Sequence, residues 1–115
     1  MRRWSRSEPG FDVVQTRLAI RTGEAALPPV VLAEALSSPA VEQHFVDFIL
    51  TLPLLDIDEG YWQRAGDLRR SVLQEGFKAK LFDVLIAQAC IDKNVALITH
   101  DADFRHFTRA GLKLA

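Results

Sequence analysis

The chain has 115 residues, 49% of them hydrophobic and 25% charged, which is ordinary for one globular domain with its own core. Its formal net charge of −1 gives no electrostatic argument for a nucleic-acid partner, although metal ions and a local basic patch can still recruit a phosphate backbone. Its single cysteine cannot form a disulfide framework, which favours a reducing compartment. The basic start, Met1–Trp4, is not followed by the apolar segment of a signal peptide, and no apolar run is long enough to cross a bilayer. We therefore expect a cytoplasmic protein that does not enter a membrane.

The first third of the chain is predicted to contain two helices with a short strand between them. Apolar residues at helical spacing predict a short amphipathic helix that ends near Gly23, and these residues are Phe11, Val14, Leu18 and Ile20. A very short strand is expected at Ala26–Leu27. A helix should follow from Pro29 to about Ser37, because proline is tolerated in the first turn of a helix.

The middle of the chain predicts two further helices and a strand. Ser38–Pro39 should form the cap and first turn of a helix that ends at Pro53, with an apolar face made of Val41, Phe45, Phe48 and Ile49. The segment Leu54–Ile57 is expected to be a strand. Asp58 should cap the next helix, which ends at Gly76 and has an apolar face made of Trp62, Ala65, Leu68, Val72 and Leu73.

The last third predicts a buried helix and two short strands. Residues 81–91 are apolar nearly all the way round, so this helix should pack on both sides. A strand is expected over 95–99, a turn of helix over 103–108 and a last strand over 112–114. Strands that alternate with helices indicate an α/β domain, with helices on both faces of a mainly parallel sheet.

Two acidic residues lie in apolar helical segments. Asp83 is the only charged residue between Leu81 and Ile91, and Glu34 is the only one in the segment Val30–Leu36. An isolated buried carboxylate is costly, so each acid requires a partner if its helix is buried. Alternatively, Asp83 is satisfied by the free backbone amides and the dipole of a first helical turn, and Glu34 lies at an exposed edge.

Two more acids, Asp101 and Asp103, follow the predicted strand in the sequence ALITHDADF. Asp is common in turns, and Asp103 could simply cap the short helix that follows. Taken together, however, the four acids point to one edge of the sheet, where crowded carboxylates require a cation. Oxygen ligands favour Mg²⁺ or Mn²⁺ over Zn²⁺, and such ions activate water for attack on a phosphodiester. The candidate phosphate contacts, which are otherwise solvated surface charges, are Lys78, Lys80 and Arg105.

Three segments resemble the PIN-domain nucleases, in particular the VapC-type toxins of bacterial toxin–antitoxin modules. They are PPVVLAEAL, FDVLIAQACIDKNVALITHDADF and the closing GLKLA, so the resemblance extends over about residues 27–115. It implies a three-layer α/β/α fold and a Mg²⁺- or Mn²⁺-dependent endoribonuclease. It also implies that Glu34, Asp83 and Asp101 are catalytic metal ligands, that Asp103 is a further catalytic acid, and that Thr99 supports them. The implied partners are an RNA substrate, a VapB-like antitoxin and a second copy of the chain in a homodimer.

The start of the chain departs from the pattern of that family. PIN domains open with an apolar strand that ends in Asp, whereas this chain opens with MRRWSRSEPGFD. We therefore expect residues 1–115 to form one PIN-like domain that is incomplete at its N-terminus. The alternative function is a catalytically impaired domain that binds the antitoxin and dimerises.

Overall fold

Four short strands form one sheet in the computed structural model of the protein, which describes residues 18–21 and 24–115. The strand order is β2-β1-β3-β4, with β1 at Leu18–Arg21, β2 at Glu24–Ala26, β3 at Ala96–Ile98 and β4 at Lys113–Leu114. β3 and β4 pair in parallel, whereas β1 runs antiparallel to both of its neighbours.

β1 corrects two predictions. Residues 18–21 are a strand, so the predicted helix is wrong at its C-terminal end, and residues 11–17 lie outside the described part of the chain. Local spacing favoured a helix, but the strand depends on distant residues, such as Ile98 opposite Leu18. The expected mainly parallel sheet holds for β3 and β4 and not for β1. Only two residues separate β1 from β2 in the sequence, and parallel neighbours need a much longer crossover.

In the described part of the chain, four α-helices and one 3₁₀ helix accompany the sheet. They are α1 (Pro29–Leu36), α2 (Gln43–Ile49), α3 (Tyr61–Gln74), α4 (Leu81–Lys93) and the 3₁₀ helix (Ala102–Ala110). α1 has proline in its first turn, as predicted, and α4 covers the apolar segment that predicted a buried helix. Across these residues, no helix combines the length and the apolar character needed to span a bilayer.

Two predictions around α2 are wrong. Ser38 does not cap the helix; its hydroxyl accepts a hydrogen bond from the amide of Ala40 in a turn, and α2 begins only at Gln43. The segment Leu54–Ile57 is not a strand and contributes a single parallel bridge, between Leu54 and Leu27. The ladder cannot extend beyond Leu27 because the next two residues are prolines, which have no N–H to donate.

The start and the buried face of α3 also differ from the prediction. α3 follows Gly60 in a left-handed conformation (φ 84°), and Asp58 instead pairs with Nζ of Lys93 at 2.8 Å. Trp62 was expected in the core but is 64% exposed, and Leu73 is 46% exposed. Tyr61 is buried in place of Trp62, with its hydroxyl donating to the carbonyl of Leu85 at 2.6 Å. The predicted burial of Ala65, Leu68 and Val72 is confirmed.

The hydrophobic core surrounds α4, which packs against α1, α3, β3 and the 3₁₀ helix. Its other main contributors are aromatic rings that are at most 1% exposed, namely Phe45 from α2 and Phe104 and Phe107 from the 3₁₀ helix. The α/β class and the three-layer α/β/α arrangement are confirmed. This packing buries Asp83 and Val84 in the first turn of α4 and Phe104 just after β3, although Leu81 at the start of α4 stays 54% exposed.

Candidate active site

Asp83 lies in the first turn of α4 and is 5% exposed, so its predicted burial is confirmed. The free amides and the dipole at a helix N-terminus favour a negative charge at this position. The side chain also has an interaction partner in the structure. This location is compatible with both predicted roles, the satisfied first-turn acid and the metal ligand.

Glu34 lies in α1 and is partly buried, next to the fully buried Ala35. This position is compatible with both predicted roles, the edge of an amphipathic helix and a metal ligand, and Glu34 too has an interaction partner. Because α1 packs against α4, the helices that carry Glu34 and Asp83 are neighbours.

Asp101 and Asp103 form a compact turn directly after β3. The hydroxyl of Thr99 accepts a hydrogen bond from the amide of Asp101 at 3.0 Å, and Oδ1 of Asp101 accepts one from the amide of Asp103 at 2.9 Å. Asp101 is thus the N-cap of the 3₁₀ helix, a role that the sequence suggested for Asp103. Both acids are partly buried, and in the described part of the chain Oδ2 of Asp101 accepts no hydrogen bond. The cap therefore occupies one carboxylate oxygen and leaves the other for a ligand.

A divalent metal ion suits the chemistry of these acids. Carboxylate and hydroxyl oxygens are the ligands that Mg²⁺ and Mn²⁺ prefer, and Oδ2 of Asp101 is available to one. Among the described residues, however, no group of three or more His, Cys, Asp or Glu side chains is placed to hold a metal ion. The grouping of Glu34, Asp83, Asp101 and Asp103 around one ion therefore stays a prediction.

The three predicted phosphate contacts are all exposed. Lys78 and Lys80 lie in the segment that leads into α4. Arg105 lies in the 3₁₀ helix, where its Nε donates to the carbonyl of Ala102 at 3.1 Å and its side chain lines a small pocket. Because all three are on the surface, each can contact a ligand without a change in the fold.

An acid that sequence reasoning missed, Asp92 near the end of α4, is held in a hydrogen-bond network. Nε and Nη2 of Arg64 donate to its two oxygens at 3.0 and 2.7 Å, and Nε2 of Gln88 donates at 2.8 Å. Burial opposes ionisation of Asp92, but the hydrogen bonds from Arg64 and Gln88 outweigh it and hold the pKa of Asp92 below its usual value. No local pattern indicates this partnership, because Arg64 is on another helix. The network joins α3 to α4 and is structural.

Two potential nucleophiles in the core, the Cys90 thiol and the Tyr61 hydroxyl, have pKa values raised by burial. Burial raises the pKa of the Cys90 thiol to about 12. Burial, with the nearby charge of Asp92 and that of Cys90 once it ionises, raises the pKa of Tyr61 to about 12 as well. Neither group supplies the anion that nucleophilic catalysis requires, so the acids remain the candidates for chemistry.

The structure thus defines an α/β domain whose candidate site is acidic, with one acid on a buried helix and two at a strand end. The family model of the PIN domain matches residues 3–110, and the chain belongs to the PIN domain family. PIN domains are generally nucleases, and those nucleases generally use divalent metal ions. No curated protein and no solved structure matches the chain in the corresponding comparisons.

Proposed function

We propose that the protein is a metal-dependent endoribonuclease of the VapC toxin type, which hydrolyses phosphodiester bonds in RNA with Mg²⁺ or Mn²⁺. The observation that carries this proposal is the turn after β3. There, Thr99 holds the backbone amide of Asp101 and the amide of Asp103 holds one carboxylate oxygen of Asp101, while the second oxygen accepts no hydrogen bond in the described residues. Membership of a family of nucleases supports it independently. The alternative of a non-catalytic binding module is not favoured.

The residues have distinct roles in this proposal. Asp83, Asp101 and Glu34 would hold the ion, and Asp103 would add a further acid beside Asp101. Thr99 is a positioning residue, because its hydroxyl orients the backbone of Asp101. When bound, the metal ion supplies the positive charge that offsets the carboxylates and the phosphodiester. Asp83 is buried, and packing around a side chain favours the fixed geometry that a metal ligand requires.

The proposed partners follow from the same family type. They are an antitoxin of the VapB kind, which would inhibit the nuclease, and a second copy of the chain in a homodimer, with the cytoplasm as the compartment. Exposed apolar side chains on the surface of α3, such as Trp62 and Leu73, are compatible with a protein partner. Size-exclusion chromatography with light scattering measures whether the chain is a dimer.

The experiment is an RNA cleavage assay with Mg²⁺, Mn²⁺ or a chelator, comparing the wild type with Asp83→Asn and Asp101→Asn. Asn caps a helix about as well as Asp, so Asp101→Asn removes the charge and keeps the cap. We expect cleavage that needs the metal and that falls at least about 100-fold in both variants, because a misplaced ion and substrate cost that much.

Asp101→Ala and Asp56→Asn are the matched controls. Asp101→Ala should lose cleavage and also about 1 kcal/mol of stability, because it removes the cap. Asp56 is an exposed acid outside the helices, so Asp56→Asn should cleave like the wild type. Wild-type activity in Asp101→Asn, or cleavage that persists in chelator, would exclude the proposed site.

A further inference from the structure

A small pocket opens between the end of α3 and the second half of the 3₁₀ helix. Its volume is about 130 Å³, and its lining comprises Glu75, Phe77, Arg105, His106, Thr108 and Arg109. Pockets for whole small molecules are larger, roughly 300–1,000 Å³. A pocket of this size suits one group of a longer ligand whose other groups lie outside it.

The wall of the pocket presents an aromatic ring to solvent. Phe77 stacks on the imidazole of His106, with ring centroids 4.4 Å apart and an interplanar angle of 17°, yet Phe77 remains 45% exposed. Because His106 covers one face of the ring, a second aromatic group can stack only on the other face. In the described part of the chain, Nδ1 of His106 is buried and has no hydrogen-bond partner. Such a nitrogen is unfavourable in a purely structural position.

Two arginines line the same pocket as Phe77, and neither has a strong partner in the described residues. Nε of Arg105 donates to a backbone carbonyl, and within the described residues its guanidinium forms no ion pair. Nη1 of Arg109 lies 3.2 Å from Oε2 of Glu75, with 84% and 38% of the two side chains exposed. Ion pairs this exposed contribute little, so a phosphate can replace Glu75 at small cost. The lysines at 78 and 80, which follow Phe77, add positive charge to the same segment.

An exposed ring beside cationic side chains is the composition of sites that bind single-stranded nucleic acid, in which bases stack and phosphates pair with Lys or Arg. We propose that Phe77 and this pocket form a subsite for single-stranded RNA, in which a base stacks on Phe77 and phosphates contact Arg105 and Arg109. This subsite rests on the RNA substrate of the proposed function. In this proposal the subsite binds a nucleotide next to the one whose phosphodiester bond is cleaved.

The position of the pocket along the chain fits this role. Arg105 is four residues beyond Asp101 in the 3₁₀ helix, or roughly 8 Å at the rise of such a helix. On the other side of the pocket, Phe77 precedes Asp83 by six residues, through the segment that starts α4. Each wall of the pocket is therefore within a few residues, along the chain, of an acid of the candidate site.

The test measures the binding of a short fluorescent single-stranded RNA by anisotropy in chelator, so that no cleavage occurs. Phe77→Leu keeps the apolar contact at the end of α3 but loses the ring, whereas Phe77→Tyr keeps the ring. We expect Phe77→Leu to weaken binding about tenfold, as the loss of one stacked base does. Phe77→Tyr should bind like the wild type. A strand of the same length without bases should bind the wild type and Phe77→Leu equally.

Substitutions of the charged side chains test the subsite independently, through their effect on RNA binding. Glu75→Gln should strengthen RNA binding, because it removes the carboxylate that competes for Arg109, and Arg109→Gln should weaken it and reduce its salt dependence. The control is Arg70→Gln, which breaks another exposed ion pair, with Asp67 elsewhere on α3, and should leave binding unchanged. Glu75→Gln remains decisive even if Phe77→Leu lowers the melting temperature, because it is a surface substitution.

Several results would overturn the subsite. They are equal RNA affinity of Phe77→Leu and Phe77→Tyr, no gain in affinity for Glu75→Gln, or binding of an acidic peptide by a chain that leaves RNA unbound. These failures differ from failure of the proposed function. If the subsite is wrong but the nuclease is real, Asp101→Asn still abolishes cleavage. If Mg²⁺-dependent cleavage is absent but the Phe77 and Glu75 variants respond as expected, the subsite stands and the nuclease does not.

Discussion

The acids that are buried or partly buried in this chain have different environments. Asp92 has the clearest hydrogen-bond partners. It accepts two hydrogen bonds from Arg64 and one from Gln88, so both of its oxygens have donors. Asp83 is more buried than most acids and lies where a helix N-terminus favours a charge. Asp92, with donors on both oxygens, has a structural role, whereas Asp101, with one oxygen that accepts no hydrogen bond in the described residues, can still bind a ligand.

The Asp92 network predicts a particular loss of stability in acid. Because the folded pKa of Asp92 is lower than its unfolded value of 3.8, the network contributes stability above pH 3.8 and loses it as the pH falls through the folded pKa. Asp92→Asn should lower the free energy of unfolding at neutral pH by about 2 kcal/mol, since it weakens hydrogen bonds to a charged group. It should also reduce the loss of stability at low pH. Urea unfolding at neutral pH and at about pH 3 measures both effects.

Asp67→Asn is the control for this prediction. Asp67 pairs with Arg70 on the surface, and both side chains are about two-thirds exposed, so its substitution should change stability little. If Asp92→Asn loses as much stability in acid as the wild type does, the Arg64–Asp92 pair is not the source of the acid sensitivity.

The helices were easier to predict from local sequence patterns than the strands. The apolar periodicity of α4 and the proline at the start of α1 are local signals, and both helices appear where those signals predict. β1 has no such signal for its pairing with β3, which lies more than seventy residues away. The rotation of α3 that buries Tyr61 in place of Trp62 also depends on a distant partner, the carbonyl of Leu85. Local patterns therefore predict helices better than they predict pairing or helix orientation.

Gly76 ends α3, and its substitution tests how much this glycine contributes to stability. Gly76 has φ 89°, its amide donates to the carbonyl of Leu73, and the next amide donates to that of Val72, which together form a Schellman motif. A Cβ at Gly76 would meet nothing within 4 Å, so Gly76→Ala should cost only the strain of a left-handed alanine, about 1 kcal/mol. Gly66, inside α3, also has open space around it. Gly66→Ala should therefore raise stability, by up to about 1 kcal/mol.

Thermal unfolding of the two variants beside the wild type measures this difference. The expected result is a lower melting temperature for Gly76→Ala and a higher one for Gly66→Ala. Equal melting temperatures for all three chains would mean that α3 does not need its glycine terminator. Because Phe77 follows Gly76, loss of this turn should also weaken the stacking of Phe77 on His106.

Across the whole molecule, the candidate site combines residues that are far apart in the sequence. Asp83 and the Asp101–Asp103 pair stood out because acids interrupt apolar segments or follow a strand, and their burial and turn geometry agree with those signals. The distances between the side chains could not be predicted, because they depend on how α1, α4 and β3 pack. The same limit applies to the pocket at Phe77, which joins two elements that no local pattern connects.

If the acids share one metal ion, binding of that ion must stabilise the fold as a whole. A ligand that binds only the folded state adds about 2.7 kcal/mol when its concentration is 100 times its dissociation constant. For a chain of this size, that corresponds to a rise in melting temperature of roughly 5 °C or more. We expect saturating Mg²⁺ or Mn²⁺ to produce such a rise in the wild type, relative to chelator. In Asp83→Asn and Asp101→Asn the rise should be nearly absent, because each substitution removes one charged ligand from a shared site.

The pattern among variants separates a shared site from general salt effects. Asp56→Asn changes the net charge as the site variants do but alters only an exposed side chain, so it should keep the full metal response. Measuring the melting temperature with Ca²⁺ in place of Mg²⁺ adds a test of ion size, since Ca²⁺ requires more ligands and longer distances. If Asp83→Asn abolishes the response and Asp101→Asn leaves it intact, the two acids do not hold one ion, and the turn after β3 is a cap alone. If both substitutions abolish it and Asp56→Asn does not, the acids of α4 and of the turn after β3 act together, as the proposed nuclease requires.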